Sequence, residues 1–302
     1  MALICFASPT GGVGRTTLAA NVARELSRSG ARVIAVDLDP QNALGPHFGL
    51  DLRDAFGFLA TLRYAADPRA AWRAALRSSP SGVSFLPYGQ LGMDGANAAA
   101  AALAERPEML SDALKDMLSV SGVTVVADLP AGPSPTLAAA LRHAALLVVP
   151  LVPDPASAAQ VPAVQSGRFG GVGSAGGLQS AQLRYVINKW GMPGRLASAI
   201  GQGCVQQLSG RLLGAVRYDE SVPESLAAQR LLGDFAPTLD AARDMAGLAA
   251  AIMAQIAALR ASGSVANLSQ SRPPPLRNAQ PLSSLADIMP GSRPPVGQKA
   301  NR

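Results

Sequence analysis

The sequence predicts an α/β fold of three layers, a doubly wound, mostly parallel sheet between two helical layers. Three observations predict it. Apolar runs of about six residues, rich in Val, Ile and Leu, recur between residues 2 and 217, as strands buried on both faces do. Stretches with helical spacing separate nearly all of them. The first run passes through a glycine-rich turn straight into an alanine-rich helical pattern. Hydrophobic residues make up 48% of the 302 and aromatics only 4%, so the core must be built from Ala, Leu and Val.

Taken in order, Leu3–Ala7 is the first strand and Leu18–Leu26 lies in the first helix. Arg32–Asp37 is the second strand, broken by Pro40, which cannot continue regular structure. Leu50–Ser79 has helical spacing and places Phe56, Leu59, Leu62, Ala71, Trp72 and Leu76 in the core. Val83–Pro87 is a third strand, followed by helices over Ala96–Leu103 and Pro107–Leu118. Val123–Asp128, Leu146–Leu151 and Leu183–Asn188 are the fourth, fifth and sixth strands, and Gly214–Val216 a short last one. Gly167–Gly177 reads as a glycine-rich surface loop. Asp240–Leu259 closes the domain as an amphipathic helix with Met245, Leu248, Ile252, Ile256 and Leu259 on one face. It lacks the lysine-rich polar face of a membrane-surface helix.

The domain is expected to span residues 1–261. From 262 to 302 the composition turns to Pro, Ser, Asn and Gln, which cannot bury enough surface to order a backbone, so a disordered Pro-rich tail is expected. Its one apolar island, Leu282–Met289, reads either as passive tail or as a docking segment. The tail holds five basic residues and one acid, so +4 of the net +6 lies there and only +2 in the body. That distribution argues against a dedicated nucleic-acid fold. The two cysteines, Cys5 and Cys204, suggest neither a disulfide framework nor a zinc site. No apolar run reaches the roughly 18–20 residues that span a bilayer, and the N-terminus lacks a secretory signal. The chain is therefore expected in the cytoplasm.

The stretch that carries chemistry is Ser8-Pro9-Thr10-Gly11-Gly12-Val13-Gly14-Arg15-Thr16-Thr17. Strand, glycine loop and helix together point consecutive backbone N–H groups at one spot, and the helix N-terminus adds about half a positive charge. The rival reading is a tight turn before a helix. Thr16 stands where a hydroxyl would hold Mg²⁺, and Arg15 where such loops carry lysine. In a parallel sheet, ligands bind at the carboxyl ends of strands. Asp37, Asp39 and Asp128 all stand at such ends, where a carboxylate is expensive to bury unpaired. Asp128 fits a metal partner, Asp37 a support of the metal through water, and Asp39 the residue that orients an attacking water. Helix caps or loop carboxylates are the alternative for each taken singly.

The order Gly11-Gly12-Val13-Gly14-Arg15-Thr16-Thr17, then Asp37-Leu38-Asp39-Pro40-Gln41, then Asp128-Leu129-Pro130-Ala131-Gly132 resembles the MinD/ParA family of deviant Walker ATPases. The Gly-Gly-Val-Gly core without either lysine is most like its cellulose-biosynthesis BcsQ/YhjQ subgroup. The likeness covers about residues 2–258 and implies a P-loop NTPase fold, ATP and Mg²⁺ as ligands, and a nucleotide-sandwich homodimer. Asn188 matches the family's adenine-contacting Asn, and Asp219–Glu224 the loop bordering the base. Arg217 replaces the usual proline there and is assigned to the base by stacking.

Two departures stand out. The lysine that crosses the dimer to the partner's phosphates is Thr10 here, and the second lysine is Arg15. Arginine keeps charge in a planar fork, whereas Thr10 supplies none. Losing a cation on the transferring phosphate removes transition-state stabilisation of a few kcal/mol, so nucleotide is expected to bind with slow or absent hydrolysis. The resemblance implies a regulatory ATP-binding protein of the cellulose synthase and secretion complex, meeting its subunits through 282–289 and reaching the inner face of the inner membrane only indirectly. A partition ATPase binding DNA non-specifically and a nucleotide-free scaffold remain the alternatives.

Overall fold

The computed structural model describes residues 1–167, 169 and 182–261. The elements are β1 (Ala2–Phe6), α1 (Arg15–Arg28), β2 (Arg32–Asp37), α2 (Phe58–Leu62), α3 (Pro68–Ala75), β3 (Arg77–Ser78), β4 (Ser84–Leu86), α4 (Met93–Glu105) and α5 (Glu108–Ser119). They continue with β5 (Val123–Asp128), α6 (Pro135–Leu141), β6 (Leu146–Leu151), α7 (Pro155–Gln165), β7 (Gln182–Trp190), α8 (Arg195–Leu208), β8 (Leu212–Arg217), α9 (Ser221–Ala227), α10 (Leu232–Phe235) and α11 (Asp240–Ala261). The strands form one sheet in the order β3-β4-β2-β5-β1-β6-β7-β8, and every described pairing is parallel except β3 with β4.

The period of two along each strand divides the core. Leu3 and Cys5 of β1 pack with Val125 and Ala127 of β5 under helices α2 to α8, whereas Ala2, Ile4 and Phe6 face α1, α10 and α11. Fully burying each Leu, Ile or Phe contributes roughly 1.5–3 kcal/mol, so both faces of the central strands hold the domain together. This is the expected three-layer, doubly wound sheet. The five apolar positions of α11 are all buried against it, as the spacing requires.

The differences from expectation lie at the β2 side. Leu50–Ser79 is not one helical stretch but two short helices. Asp67 caps the second by accepting from Arg69 N, and Pro68 opens it. β3 has two residues, too few for any periodicity to signal. Phe56, expected in the core, is 41% exposed, with the Arg77 guanidinium 5.2 Å from its ring. Leu76 is half-buried. The glycine-rich loop lies outside the described residues apart from Gly167 and Phe169, as do residues 262–302 with the segment 282–289.

The register sets the site. β2 and β5 pair Asp37 with Asp128, and β1 and β5 pair Phe6 with Asp128. The carboxyl ends of three adjacent strands therefore finish level, with the loop after β1 above them.

Candidate functional site

The loop after β1 is built by its own backbone. Ser8 Oγ donates to the Thr10 carbonyl at 2.7 Å and accepts from Thr10 N, while Gly132 N donates to the Ser8 carbonyl at 3.0 Å. Gly12 and Gly14 take φ of 77° and 79°, a region that side chains disfavour. Gly11 and Gly12 are exposed, and a Cβ on either would meet nothing within 4 Å. Val13 is buried. Gly14 precedes α1, whose first turn has neither a side-chain cap nor an acid. Its N-terminal N–H groups and dipole are thus left for an anion.

The three acids are brought together. Asp128 is fully buried, Asp37 likewise, and Asp39 is 3% exposed. Asp37 spends its oxygens on the backbone: Oδ1 accepts from Asp39 N at 3.0 Å and Oδ2 from Leu44 N at 2.9 Å. These two bonds fold the loop that carries Asp39. Burial, and then the neighbouring Asp128 charge, pushes the Asp37 carboxyl well above the usual range. Asp39 Oδ1 accepts from Gln41 N at 2.9 Å.

Arg15 lies across the other two acids. Its Nε donates to Asp128 Oδ1 at 2.8 Å and its Nη2 to Asp39 Oδ2. Thr16 Oγ1 donates to Asp128 Oδ2 at 2.6 Å. Burial raises the Asp128 carboxyl to about 6 even though Arg15 and Thr16 pull it down. The desolvation of a fully buried group outweighs its partners here. Hard oxygens from Thr16 and Asp128 suit Mg²⁺, which takes few protein ligands beside phosphates and waters, but the Arg15 guanidinium already holds one of the Asp128 oxygens.

Asn188, at the end of β7, donates from Nδ2 to the Val13 carbonyl at 2.9 Å. Gly14 permits that approach: a Cβ there would lie 2.2 Å from Asn188 Nδ2. Asn188 thus reaches the site through the loop backbone. Arg217 is placed elsewhere. Its guanidinium pairs with Asp240 and Asp244 of α11, and its backbone N–H donates to Asp244. The described contacts of Arg217 are thus with α11 and not with the phosphate loop. Thr10 and Thr17 sit half-buried at the two ends of the loop. Sequence reasoning named Ser8 in the loop without giving it a role, and missed Asn42. The Asn42 side chain accepts from Gly89 N at 3.2 Å and ties the Asp39 loop to the segment after β4. Its φ of 50° is one that Asn tolerates, and an Asn just past Asp-Pro-Gln is the signal that was there to read.

A cavity of about 250 Å³ between His47, Phe48, Pro80, Ser81 and Gln229 involves none of these residues. Asp234 at its wall is paired with Arg24 of α1.

Residues 1–253 match the family model of cellulose biosynthesis protein BcsQ. The chain belongs to the BcsQ family. A curated relative, the cellulose biosynthesis protein BcsQ of Escherichia coli, is 33% identical over 94 residues, which are 31% of this chain. The chain thus spans about a third (36%) of the length of the curated relative it matches. Solved structures agree on the fold. The septum site-determining protein MinD from Pyrococcus horikoshii, complexed with Mg-ADP, superposes with a TM-score of 0.63 at 19% identity, covering 83% of this chain and 95% of that one. A plasmid partition protein from Borrelia burgdorferi, bound to AMPPNP, gives 0.64 at 16%, covering 84% and 99%. The BcsQ-family chain therefore has the MinD/ParA P-loop fold with arginine in its loop.

Proposed function

We propose that this chain is an ATP-binding regulatory and localisation protein of the bacterial cellulose synthase and secretion machinery. It works in the cytoplasm as a nucleotide-sandwich homodimer and is recruited to the inner face of the inner membrane. Membership of the BcsQ family across residues 1–253 carries this reading. The site supports it: an open glycine loop, an uncapped helix N-terminus and a hydroxyl–carboxylate pair form a cradle for phosphates. Backbone N–H groups of Gly11 to Thr17 hold the phosphates, and Asn188 braces the loop from the side of the base. Thr16 and Asp128 would hold Mg²⁺, which supplies charge neutralisation on the phosphate oxygens.

The same residues support slow or absent hydrolysis. Asp39 is the residue expected to aim water, yet one of its oxygens accepts from Gln41 N and the other from Arg15. Thr10 brings no cation from a partner protomer. Nucleotide then acts as a bias on assembly rather than as fuel.

Light scattering after size exclusion tests the reading. With ATP the mass should rise from 30.8 kDa to twice that value, and turnover should stay at background. In the host, deletion of the gene should lower cellulose output and the wild-type chain should restore it. A mass unmoved by ATP, together with normal cellulose in the deletion, would refute the proposal.

A further inference from the structure

The three acids leave no carboxylate oxygen without a protein donor. Asp37 has two amides, Asp39 has Gln41 N and Arg15, and Asp128 has Arg15 and the Thr16 hydroxyl. Among the described residues no group of three or more His, Cys, Asp or Glu side chains is arranged to hold a metal ion. A divalent cation approaching Asp128 must compete with a guanidinium that is itself 8% exposed.

That guanidinium is only partly used. Arginine carries five N–H donors in a rigid plane. Here Nε donates to Asp128 and one N–H of Nη2 donates to Asp39. One N–H of Nη2 and both of Nη1 have no partner among the described residues. Guanidinium N–H groups held in one plane match the oxygens of a phosphate. Arg15 begins α1, directly after Gly14, which takes the left-handed conformation at the N-cap. One planar cation can therefore donate to two carboxylates and, through its remaining N–H groups, to a phosphate. A lysine could not, being a point charge with three donors.

Resting on the nucleotide-site reading above, we propose that Arg15 is the built-in cation of this site. It links Asp39 and Asp128 to the phosphates of a nucleoside di- or triphosphate, so that nucleotide binding depends only weakly on Mg²⁺. The divalent ion that Thr16 and Asp128 would hold then adds to this link and is not its sole carrier.

The test is a titration of the full chain with a fluorescent ADP analogue, once in excess Mg²⁺ and once in excess EDTA. For the wild type the two dissociation constants should differ by less than about tenfold. Arg15→Lys keeps the charge but not the fork, and should bind more than about tenfold more weakly in EDTA than in Mg²⁺. A wild type that loses more than that in EDTA overturns the inference while leaving nucleotide binding intact. So does an Arg15→Lys chain as indifferent to Mg²⁺ as the wild type. The wild-type arm decides alone if the variant does not fold. No binding in either solution overturns both this inference and the function on which it rests.

Discussion

Replacing the three loop glycines by alanine one at a time should give a graded response that the local geometry sets. At Gly11 a Cβ meets nothing within 4 Å and φ is not in the left-handed region, so Gly11→Ala should change stability by less than about 0.5 kcal/mol. At Gly12 there is room, but φ is 77°, and holding an L-residue there costs roughly 1–2 kcal/mol. Gly14 carries both penalties. Its φ is 79°, and the new Cβ would stand 2.2 Å from Asn188 Nδ2. Asn188 must then withdraw from the Val13 carbonyl and leave a buried amide unpaired, at about 1–3 kcal/mol. Gly14→Ala should therefore cost about 2–5 kcal/mol in urea unfolding. In an Asn188→Ala background the steric part disappears, and Gly14→Ala should fall to the cost of Gly12→Ala. A double-mutant cycle on purified variants reads this directly. The reasoning fails if Gly14→Ala is no worse than Gly12→Ala, or if the two sites are additive.

Three further outcomes follow from the same geometry. His47 is pushed down to about 4 by burial, whereas the unfolded chain takes up its proton near 6.5. Its share of stability is whole above pH 6.5 and is lost as pH falls toward 4, by up to about 3 kcal/mol; urea titrations across that window should show a slope that His47→Gln removes. Asn21, 2% exposed on α1, accepts from Leu232 N at 2.9 Å. Asn21→Ala strands that buried N–H and should cost about 1–3 kcal/mol by the same assay. Arg217→Ala should leave ADP affinity unchanged in calorimetry, because its guanidinium belongs to Asp240 and Asp244; a clear loss of affinity would return it to the base.

The central sheet was legible because its strands are buried on both faces and therefore read as continuous apolar runs. β2, β5 and β6 have the expected ends. The expected convergence of Asp37, Asp39 and Asp128 follows from strand ends alone, since parallel register brings them level. Partnering was not legible. Nothing local told that Asp37 would spend both oxygens on Asp39 N and Leu44 N, or that Arg15 would reach two acids distant in sequence. Those choices are made by tertiary packing. Phe56 was misplaced because helical spacing counts apolar positions but does not see a cation covering a ring. β3 was missed because two residues carry no period, and its pairing depends on the β4 edge being present. Arg217 was assigned by resemblance, and two carboxylates on α11 gave it another partner.

The measurement that bears most directly on the central claim is calorimetric titration of ADP and ATP into the wild type and into Gly11→Asp. Gly11 is exposed with open space around it, so the aspartate should fold without strain and set a carboxylate against the phosphates. The account predicts about one nucleotide per chain for the wild type and a loss of at least roughly 2 kcal/mol of binding in the variant. It is contradicted by a wild type that takes up no nucleotide at millimolar concentration, or by a Gly11→Asp chain that binds as tightly as the wild type.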